Sequence, residues 1–214
     1  MRRVVVVLLF FVSITAGSRL DGQALHPSSQ TVSRSLGEKV RLARIPNAGK
    51  ISDQLYRGAQ PRPGGLEELK KLGITTIVDL RGEDPGTRDS EQKEAQRLGM
   101  DFISIPVSGW DPPTREQIGR FLILFRDDPS KKVFVHCRLG EDRTGVFVAA
   151  YRMAQQSWSV DQAIQEMDSF GFNRFWHPSM LTYVRNFPNI MAAFAPANQA
   201  TAPAAKASNS SGNR

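Results

Sequence analysis

The single cysteine of the chain and an arginine beyond it are the residues that could carry out nucleophilic chemistry. Cys137 follows an apolar run and His136, and five residues separate it from Arg143. After Arg143, Thr144 and a glycine, the sequence VFVAAYRMA has the pattern of a helix. The stretch KKVFVHCRLGEDRTG at 131–145 is therefore predicted to form a strand, a tight loop and a helix.

The predicted loop between Cys137 and Arg143 is suited to bind a phosphate group. A loop of this kind directs several backbone N–H groups to one point, and the N-terminus of the next helix adds partial positive charge there. These surroundings favour a thiolate, so we expect Cys137 to act as a nucleophile. The guanidinium of Arg143 can bind two phosphate oxygens and stabilise charge in the transition state. The pair predicts phosphoryl transfer through a cysteinyl-phosphate.

The residues around Cys137 resemble the signature of the cysteine-dependent protein tyrosine phosphatase superfamily, in particular its bacterial dual-specificity-phosphatase-like branch. That signature is a histidine and a cysteine, then five residues, then an arginine followed by serine or threonine. The positions that match it are His136, Cys137, Gly140, Arg143 and Thr144. Rhodanese-type sulfurtransferases have a loop that is one residue shorter, so the spacing argues against them. A buried structural cysteine is the other alternative for Cys137.

The resemblance covers roughly residues 50–190. The sequences LYRGAQP at 55–61 and LGITTIVDLRGE at 72–83 resemble the opening of bacterial dual-specificity-like phosphatases. The apolar, β-branched run at 74–80 predicts a buried parallel strand. The expected fold is an α/β three-layer sandwich, similar to dual-specificity phosphatases, with a mainly parallel central sheet of four to five strands and helices on both faces.

Predicted strands and helices alternate along the chain. Strands are predicted at 51–57, 74–80, 102–107 and 133–135. Helices are predicted at 66–72, 88–98, 114–128, from 146 onward, at 159–170 and at 178–191. Arg81 follows the second strand, where open α/β sheets place their ligands. It is a candidate substrate-binding or loop-bracing residue, or a member of a surface ion pair.

The sequence SGWDPPT at 108–114 contains a candidate general acid. The family resemblance implies that a mobile loop at this place carries an aspartic acid that protonates the leaving oxygen, and Asp111 lies 26 residues before Cys137. The chemistry needs such an acid because an alkoxide or phenolate leaves poorly without a proton. The alternative is a turn or cap residue, but Thr114 with Gln117 already forms a capping box for the next helix.

The loop itself is predicted to bind the substrate through Arg138, Leu139, Gly140, Glu141 and Asp142. Its charged side chains should surround the pocket, Leu139 should pack against the protein, and Gly140 should permit a tight turn. The resemblance implies that His136 orients the loop. We also expect the Thr144 hydroxyl to donate a hydrogen bond to the Cys137 sulfur when the thiolate leaves.

The sequence Gly-x-Asp-Arg-Thr at 140–144 gives conflicting indications of the substrate class. It resembles phosphoinositide-directed phosphatases and some bacterial enzymes that act on both lipids and proteins. Those lipid enzymes often carry lysines in the loop, whereas Glu141 stands here and its carboxylate repels additional phosphates. Asp142 is also an alternative to Asp111 as the general acid.

The expected function is that of a metal-independent phosphomonoesterase, a protein tyrosine or dual-specificity phosphatase that needs no cofactor. Its expected substrate is phosphotyrosine or mixed phosphoprotein. A phosphoinositide or inositol polyphosphate phosphatase is the alternative. An inactive phosphate-binding module is a remote alternative, since Cys137, Arg143 and Thr144 are all present. The three histidines have no paired spacing and predict no metal site.

The two ends of the chain differ from its middle. MRR followed by VVVVLLFFVSITA predicts a signal peptide over 1–24, because the apolar run is shorter than the roughly 20 residues that span a bilayer. An uncleaved anchor is the alternative. We expect a flexible arm at 25–50, the phosphatase domain at 51–194 and a disordered tail at 195–214. The protein is therefore expected to be exported, either periplasmic or secreted.

Composition and charge limit the expected partners. The chain is 40% hydrophobic and 23% charged, which is typical of a globular protein. Its formal net charge of +7 suits an anionic substrate, such as a phosphorylated protein or a phosphoinositide. No basic stretch is interleaved with aromatic residues, so nucleic acid is not an expected partner. Membrane contact is expected only through an uncleaved signal or a lipid substrate.

Overall fold

The structure is a computed structural model that describes residues 35–126 and 128–192. The predicted signal peptide at 1–24 and the predicted tail at 195–214 lie outside the described residues. Within the described ranges, no helix is both long enough and apolar enough to cross a membrane.

Strands and helices alternate through most of the described chain. The strands are β1 (Glu38–Lys39), β2 (Gly49–Lys50), β3 (Leu55–Ala59), β4 (Thr76–Arg81), β5 (Asp101–Val107) and β6 (Val133–Cys137). The helices are α1 (Gly65–Lys71), α2 (Pro85–Arg97), α3 (Arg115–Leu122), α4 (Asp142–Gln156), α5 (Val160–Ser169) and α6 (Pro178–Ala192), with a short 3₁₀ helix at Ile123–Phe125.

The central sheet has the strand order β1-β2-β3-β6-β4-β5. Strand β6 is central and pairs in parallel with β3 and β4, and β4 pairs in parallel with β5. The register places Cys137 opposite Ala59 of β3 and His136 opposite Asp79 of β4. The carboxyl ends of the three central strands therefore meet at one edge, where ligands bind in open α/β sheets.

The two faces of the sheet carry separate hydrophobic clusters. In β6, Val133 and Val135 pack with residues of α3 and α4, whereas Phe134 packs on the other face with residues of α1 and α2. This alternation follows from the two-residue period of a strand. Helices therefore cover both faces of a mainly parallel sheet, and the predicted three-layer α/β fold is confirmed. Helices α5 and α6 pack against the outer side of α4 in a third cluster.

The sheet has six strands rather than the predicted four to five, because β1 and β2 form within the segment predicted to be a flexible arm. The described part of that segment pairs antiparallel with β3 through β2. Ile45 and Ala48 are buried, and the Gly37 N–H donates to the Glu166 carboxylate of α5 at 2.6 Å. The expectation of a loose arm is therefore wrong from Gly37 onward.

Two predicted boundaries also differ from the structure. The strand predicted at 51–57 begins at Leu55, because the Ser52 hydroxyl accepts hydrogen bonds from the Gln54 and Leu55 N–H groups and forms a turn. The helix after the loop begins at Asp142 rather than after the glycine at 145. Arg143 therefore lies in the first turn of α4.

Candidate active site

The loop from Cys137 to Arg143 packs directly on the backbone of β3. Gly140 has a φ of 71°, and a Cβ atom there would lie only 2.3 Å from the Gly58 carbonyl carbon. No residue with a side chain fits this position. The carbonyl oxygen of Gly140 accepts hydrogen bonds from the Asn47 amide at 3.1 Å and the Arg57 guanidinium at 2.6 Å. These bonds draw the carbonyl toward the core.

Cys137 ends β6 at the bottom of a cavity of about 460 Å³. The side chain is only 3% exposed, and its Sγ accepts a hydrogen bond from the Gly140 N–H at 3.3 Å. The cavity is lined by Glu83, Gly109, Trp110, Cys137, Arg138, Leu139, Asp142, Arg143 and His177. A phosphate in this cavity would lie between the sulfur and the N-terminus of α4, which favours an anion.

The Arg143 guanidinium is held by the loop after β4 and by the end of β5. Nη1 and Nη2 donate to the two carboxylate oxygens of Glu83 at 2.6 and 2.7 Å, and Nη1 also lies 3.4 Å from the Val107 carbonyl oxygen. The hydrogen bond from Arg143 lowers the pKa of the Glu83 carboxyl to about 2. No described residue accepts from Nε of Arg143, so the Nε edge of the fork is free to bind phosphate oxygens.

Arg57 lies fully buried beneath the loop. Its Nη2 donates to Gly140 O at 2.6 Å and lies 3.4 Å from Glu141 O, while Nε and Nη1 have no hydrogen-bond partner. The guanidinium also stacks over the Phe170 ring at 4.2 Å. Burial lowers its pKa to about 10. Burial of a guanidinium without an ion-pair partner lowers the stability of the folded state. The hydrogen bonds to the loop backbone are the interaction that explains why an arginine lies here.

Four charged or titratable side chains form a buried cluster beside the loop. His136 Nε2 lies 2.9 Å from Glu91 Oε1 and 3.9 Å from Asp79 Oδ1. Arg81 donates to both oxygens of Asp79 at 2.8 and 2.9 Å and to Glu91 Oε2 at 2.6 Å. Burial opposes the charge of Arg81, but the hydrogen bonds with Asp79 outweigh it and raise the pKa. Arg81 is therefore a buried residue that fixes the two carboxylates beside His136, and it is not part of a surface ion pair.

The same cluster contains the one group of described residues that could hold a metal ion, namely Asp79, Glu91 and His136. Arg81 already occupies both oxygens of Asp79 and one oxygen of Glu91. A metal ion would have to displace this guanidinium, so the geometry fits an ion-pair network better than a metal centre.

Asp111 lies outside the cavity in this structure. Its carboxylate accepts a hydrogen bond from the Ser108 hydroxyl at 2.9 Å, and the same hydroxyl accepts from the N–H groups of Trp110 and Asp111. The adjacent residues Gly109 and Trp110 do line the cavity. Asp111 is therefore one residue from the cavity wall, and a rotation of this short loop would be needed to bring it to a leaving group.

Asp142 lies inside the cavity wall at the N-terminus of α4. Its Oδ1 accepts from the Asn173 N–H at 2.9 Å, and its Oδ2 lies 3.3 Å from His177 Nε2. The His177 ring faces the Trp110 ring, with centroids 5.5 Å apart. The turn before α6 therefore connects the loop that contains Asp142 with the loop that contains Asp111.

Residues 38–180 match the model of a protein family that is described as DSP-PTPase phosphatase fused to NAD+ kinase. The chain belongs to this family. It is a cysteine-dependent phosphatase of the tyrosine and dual-specificity class. Dual specificity protein phosphatase TpbA of Pseudomonas aeruginosa is 26% identical over 165 residues, which are 77% of this chain and 73% of TpbA. Inositol diphosphatase DSP3 of Arabidopsis thaliana is 28% identical over 128 residues, which are 58% of this chain and 62% of DSP3.

Solved structures of such phosphatases share the fold. The crystal structure of P. aeruginosa TpbA superposes with a TM-score of 0.58 at 24% identity, covering 77% of this chain and 99% of that chain. The core catalytic domain of the S. cerevisiae PP-IP phosphatase SIW14 superposes with a TM-score of 0.61 at 17% identity, covering 72% and 94%. The predicted resemblance to dual-specificity-like phosphatases is confirmed.

Among the predicted substrate-binding residues, Arg138, Leu139 and Asp142 line the cavity of the phosphatase. Leu139 is 56% exposed, so the expectation that it packs against the protein is wrong. Gly140 contributes its backbone. Glu141 lines a neighbouring cavity instead, and burial together with Asp142 raises the pKa of its carboxyl.

The two supporting residues of the prediction have different environments. The Thr144 hydroxyl is buried without a hydrogen-bond partner, so the expected bond to Cys137 Sγ is not formed in this structure. His136 is fully buried in the cluster with Glu91, which is consistent with the orienting role that the resemblance implied.

Sequence reasoning missed several residues of the site, which are Arg57, Asp79, Glu83, Glu91 and His177. One signal for Asp79 was present, because it is the one charged residue of the strand predicted at 74–80, whereas the strand predicted at 51–57 contains other polar residues besides Arg57. Glu83 and Glu91 belong to polar segments, where charged residues are ordinary, and His177 follows two aromatic residues and precedes a proline. Only their tertiary contacts reveal them.

Proposed function

We propose that this phosphatase hydrolyses phosphotyrosine and mixed phosphoprotein substrates, without a metal ion, through a cysteinyl-phosphate on Cys137. The observation that carries the proposal is the cavity that is lined by both Cys137 and Arg143, with Arg143 in the first turn of α4. Similarity to TpbA, which is described as a dual specificity protein phosphatase, supports the proposal. A crystal structure of a cysteine-to-serine TpbA in complex with phosphotyrosine also supports it.

The first chemical step is an in-line attack on phosphorus. The Cys137 thiolate forms an S–P bond while the bond from phosphorus to the ester oxygen breaks. The Nε edge of Arg143 and the N–H groups of the loop bind the other phosphate oxygens, where charge develops in the transition state. A carboxylic acid gives its proton to the leaving oxygen, and Asp111 is the residue that we propose for this role.

The second step is hydrolysis of the S–P bond. A water molecule attacks phosphorus from the side that the alcohol or phenol has left, and its proton passes to the carboxylate that served as the acid. The sulfur leaves as a thiolate and inorganic phosphate is released. The same residues therefore serve both steps.

The walls of the cavity favour an aromatic phosphate ester. Trp110, Leu139 and His177 line it above the sulfur, and such side chains pack well against the flat faces of a phenyl ring. The carboxylates of Glu83 and Asp142 also line it, and they would repel the additional phosphates of a polyphosphorylated head group. This charge pattern favours phosphotyrosine over a phosphoinositide or an inositol polyphosphate.

The place of action that we propose is outside the cytoplasm. The support is the basic start and short apolar run of the predicted signal peptide at 1–24. Fractionation of cells that express the full chain, with N-terminal sequencing of the product, tests it. A protein that starts near residue 25 in the exported fraction is expected. A full-length protein that remains in the cytoplasm would contradict export.

The function is tested by phosphate release in the presence of a chelator and a reductant. The panel contains a phosphotyrosyl peptide, a phosphoseryl peptide, a phosphoinositide and inositol hexakisphosphate. We expect release that the chelator does not reduce, fastest from the phosphotyrosyl peptide, and none from the Cys137→Ser variant. If phosphate is released fastest from the phosphoinositide or from inositol hexakisphosphate, the substrate belongs to that class instead. If no phosphate is released from any member of the panel, the proposal is rejected.

A further inference from the structure

Two aromatic side chains beside the active site are exposed to solvent. Phe175 is 83% exposed and Trp176 is 59% exposed, and their rings contact each other edge to face with centroids 5.3 Å apart. In the described ranges, the exposed large apolar residues are Leu36, Trp110, Ile123, Leu139, Phe175 and Trp176. Of these six, Trp110 and Leu139 line the cavity, and Phe175 and Trp176 are the two residues before His177, which also lines it. Exposed apolar residues are therefore concentrated at the mouth of the site, which is typical of a binding surface.

The turn that carries Phe175 and Trp176 is fixed by hydrogen bonds. The Asn173 side chain accepts from the N–H groups of Phe175 and Trp176 at 3.2 and 3.1 Å. The Asn173 carbonyl accepts from the His177 N–H at 3.0 Å. The two aromatic side chains are therefore held on an ordered turn, which reduces the entropy cost of binding a partner.

This turn is continuous with the catalytic cavity on both sides. At its start, the Asn173 N–H donates to Asp142 in the phosphate-binding loop. At its end, His177 faces the Trp110 ring, and the Ser179 hydroxyl donates to the Trp110 carbonyl at 3.1 Å. The turn that carries Phe175 and Trp176 therefore adjoins the cavity in which the phosphotyrosine of a peptide would bind.

We propose that Phe175 and Trp176 form a docking surface for a bulky apolar side chain that flanks the phosphotyrosine of a peptide substrate. This inference rests on the proposed function and names the sequence context of its substrate. The contact buries apolar surface on both partners, which favours leucine, isoleucine or phenylalanine over a charged residue beside the phosphotyrosine.

The charges around the mouth favour a peptide over a membrane. Glu83 and Asp142 line the cavity, and Asp111 lies exposed beside it. The nearby Arg174 is paired with Asp168 and offers less charge to an anionic lipid. An aromatic membrane anchor usually acts together with several free lysines and arginines, whereas here Arg138 is the one exposed arginine in the cavity lining and the carboxylates of Glu83 and Asp142 lie beside it.

The test compares the wild type with the double variant Phe175→Ser, Trp176→Ser on matched phosphotyrosyl peptides. One peptide has leucine on both sides of the phosphotyrosine, and the other has glutamate there. We expect the double variant to raise KM for the leucine peptide about tenfold, because it removes the apolar contact. KM for the glutamate peptide and kcat/KM for p-nitrophenyl phosphate should not change.

A matched control is Ile123→Ser, which removes a side chain that is 48% exposed on the short helix after α3. That helix leads to the start of β6, at the opposite end of the strand from Cys137, so this variant should leave all three substrates unaffected. Equal effects of the double variant on both peptides, or no effect on either, would overturn the inference. Loss of binding to phosphatidylserine vesicles with unchanged peptide kinetics would also overturn it and would indicate a membrane contact.

Failure of the proposed function can be separated from failure of this inference. If the wild type hydrolyses neither peptide, the affinity of both peptides for the Cys137→Ser protein is measured instead, with and without the two serine substitutions. A tenfold weaker binding of the leucine peptide alone supports the docking surface, and equal binding contradicts it.

Discussion

Glu83 binds both terminal nitrogens of Arg143, at 2.6 Å to Nη1 and 2.7 Å to Nη2. The pair joins the loop after β4 to the first turn of α4, and Arg143 is nearly buried while Glu83 is half-exposed. Because Glu83 occupies the Nη1–Nη2 edge, the Nε edge of the guanidinium remains available to the substrate. Glu83 therefore fixes the position of the Arg143 guanidinium, which we propose binds the phosphate.

Substitution Glu83→Gln tests this positioning. The amide removes the charge and donates on one side, so the fork loses one of its two acceptors. We expect kcat/KM for p-nitrophenyl phosphate to fall about tenfold, the scale of one hydrogen bond to a charged group. The exposed Glu116 of α3 serves as a control, and Glu116→Gln should have no effect. An unchanged kcat/KM in the Glu83 variant would show that Glu83 does not position Arg143 for catalysis.

The same ion pair predicts a dependence of stability on pH. Arg143 lowers the pKa of Glu83 from 4.5 to about 2. The pKa of Glu83 is lower in the folded state than in the unfolded chain, so the ion pair stabilises the fold at pH values above the unfolded pKa of 4.5. This stabilisation is lost as the pH falls toward the folded pKa of about 2. The difference in Tm between the wild type and Glu83→Gln should therefore be largest near neutral pH and shrink below about pH 4. Solvent exposure makes the contribution small, and a difference that grows on acidification would contradict the assignment.

Substitution of Arg57 is expected to lower activity without lowering the stability of the fold. Its guanidinium is fully buried with two nitrogens unpartnered, so Arg57→Met should leave the free energy of unfolding unchanged within about 1 kcal/mol or raise it. The variant loses the bond to Gly140 O, so kcat/KM should fall at least tenfold. Chemical denaturation and steady-state kinetics measure the two effects.

Arg152 offers the matched control for Arg57. It is also buried, but it is paired with Glu166 through three contacts of 2.5 to 3.2 Å, and it lies away from the cavity lining. Arg152→Met leaves the Glu166 carboxylate buried without its cation, so a loss of about 3–5 kcal/mol of stability is expected. The folded fraction should keep its kcat/KM. The reverse pattern in the two variants would show that Arg57 is a structural residue only.

The identity of the general acid is tested by changing the leaving group. Asp111→Asn should lower kcat about 100-fold or more for phosphotyrosine, whose phenolate needs a proton. The loss should be small for an activated ester with an acidic phenol. Asp142→Asn should reduce kcat by a similar factor for both esters, since it alters the loop and not the proton transfer. If the dependence on leaving group appears in the Asp142 variant alone, Asp142 is the acid.

The loop from Cys137 to Arg143 could be predicted from the sequence because it is defined by local spacing. A strand, Cys137, five residues, Arg143 and a helix follow one another along the chain, and Gly140 marks the close approach to β3. The parallel sheet was predictable from local sequence as well, since the apolar, β-branched run at 74–80 is typical of a buried parallel strand.

Residues brought in by tertiary contacts could not be predicted in this way. Strands β1 and β2 have two residues each, too few to show a period-2 pattern, and they form because β3 offers an edge. Glu83 and His177 reach the site from loops 54 and 40 positions away from Cys137. The position of the Asp111 carboxylate depends on a hydrogen bond from the Ser108 hydroxyl, which the spacing of residues does not encode.

The central claim is that Cys137 carries the phosphoryl group between the two steps. The most direct measurement is mass spectrometry of the protein after rapid acid quench during turnover of p-nitrophenyl phosphate, with chelator and reductant present. The account predicts a population that is heavier by one phosphoryl group, located on the peptide that contains Cys137. The Cys137→Ser protein, which binds substrate but releases no phosphate, should show no turnover-dependent adduct. Phosphate release by that serine variant at the wild-type rate, or an adduct on another residue of the wild type, would contradict the account.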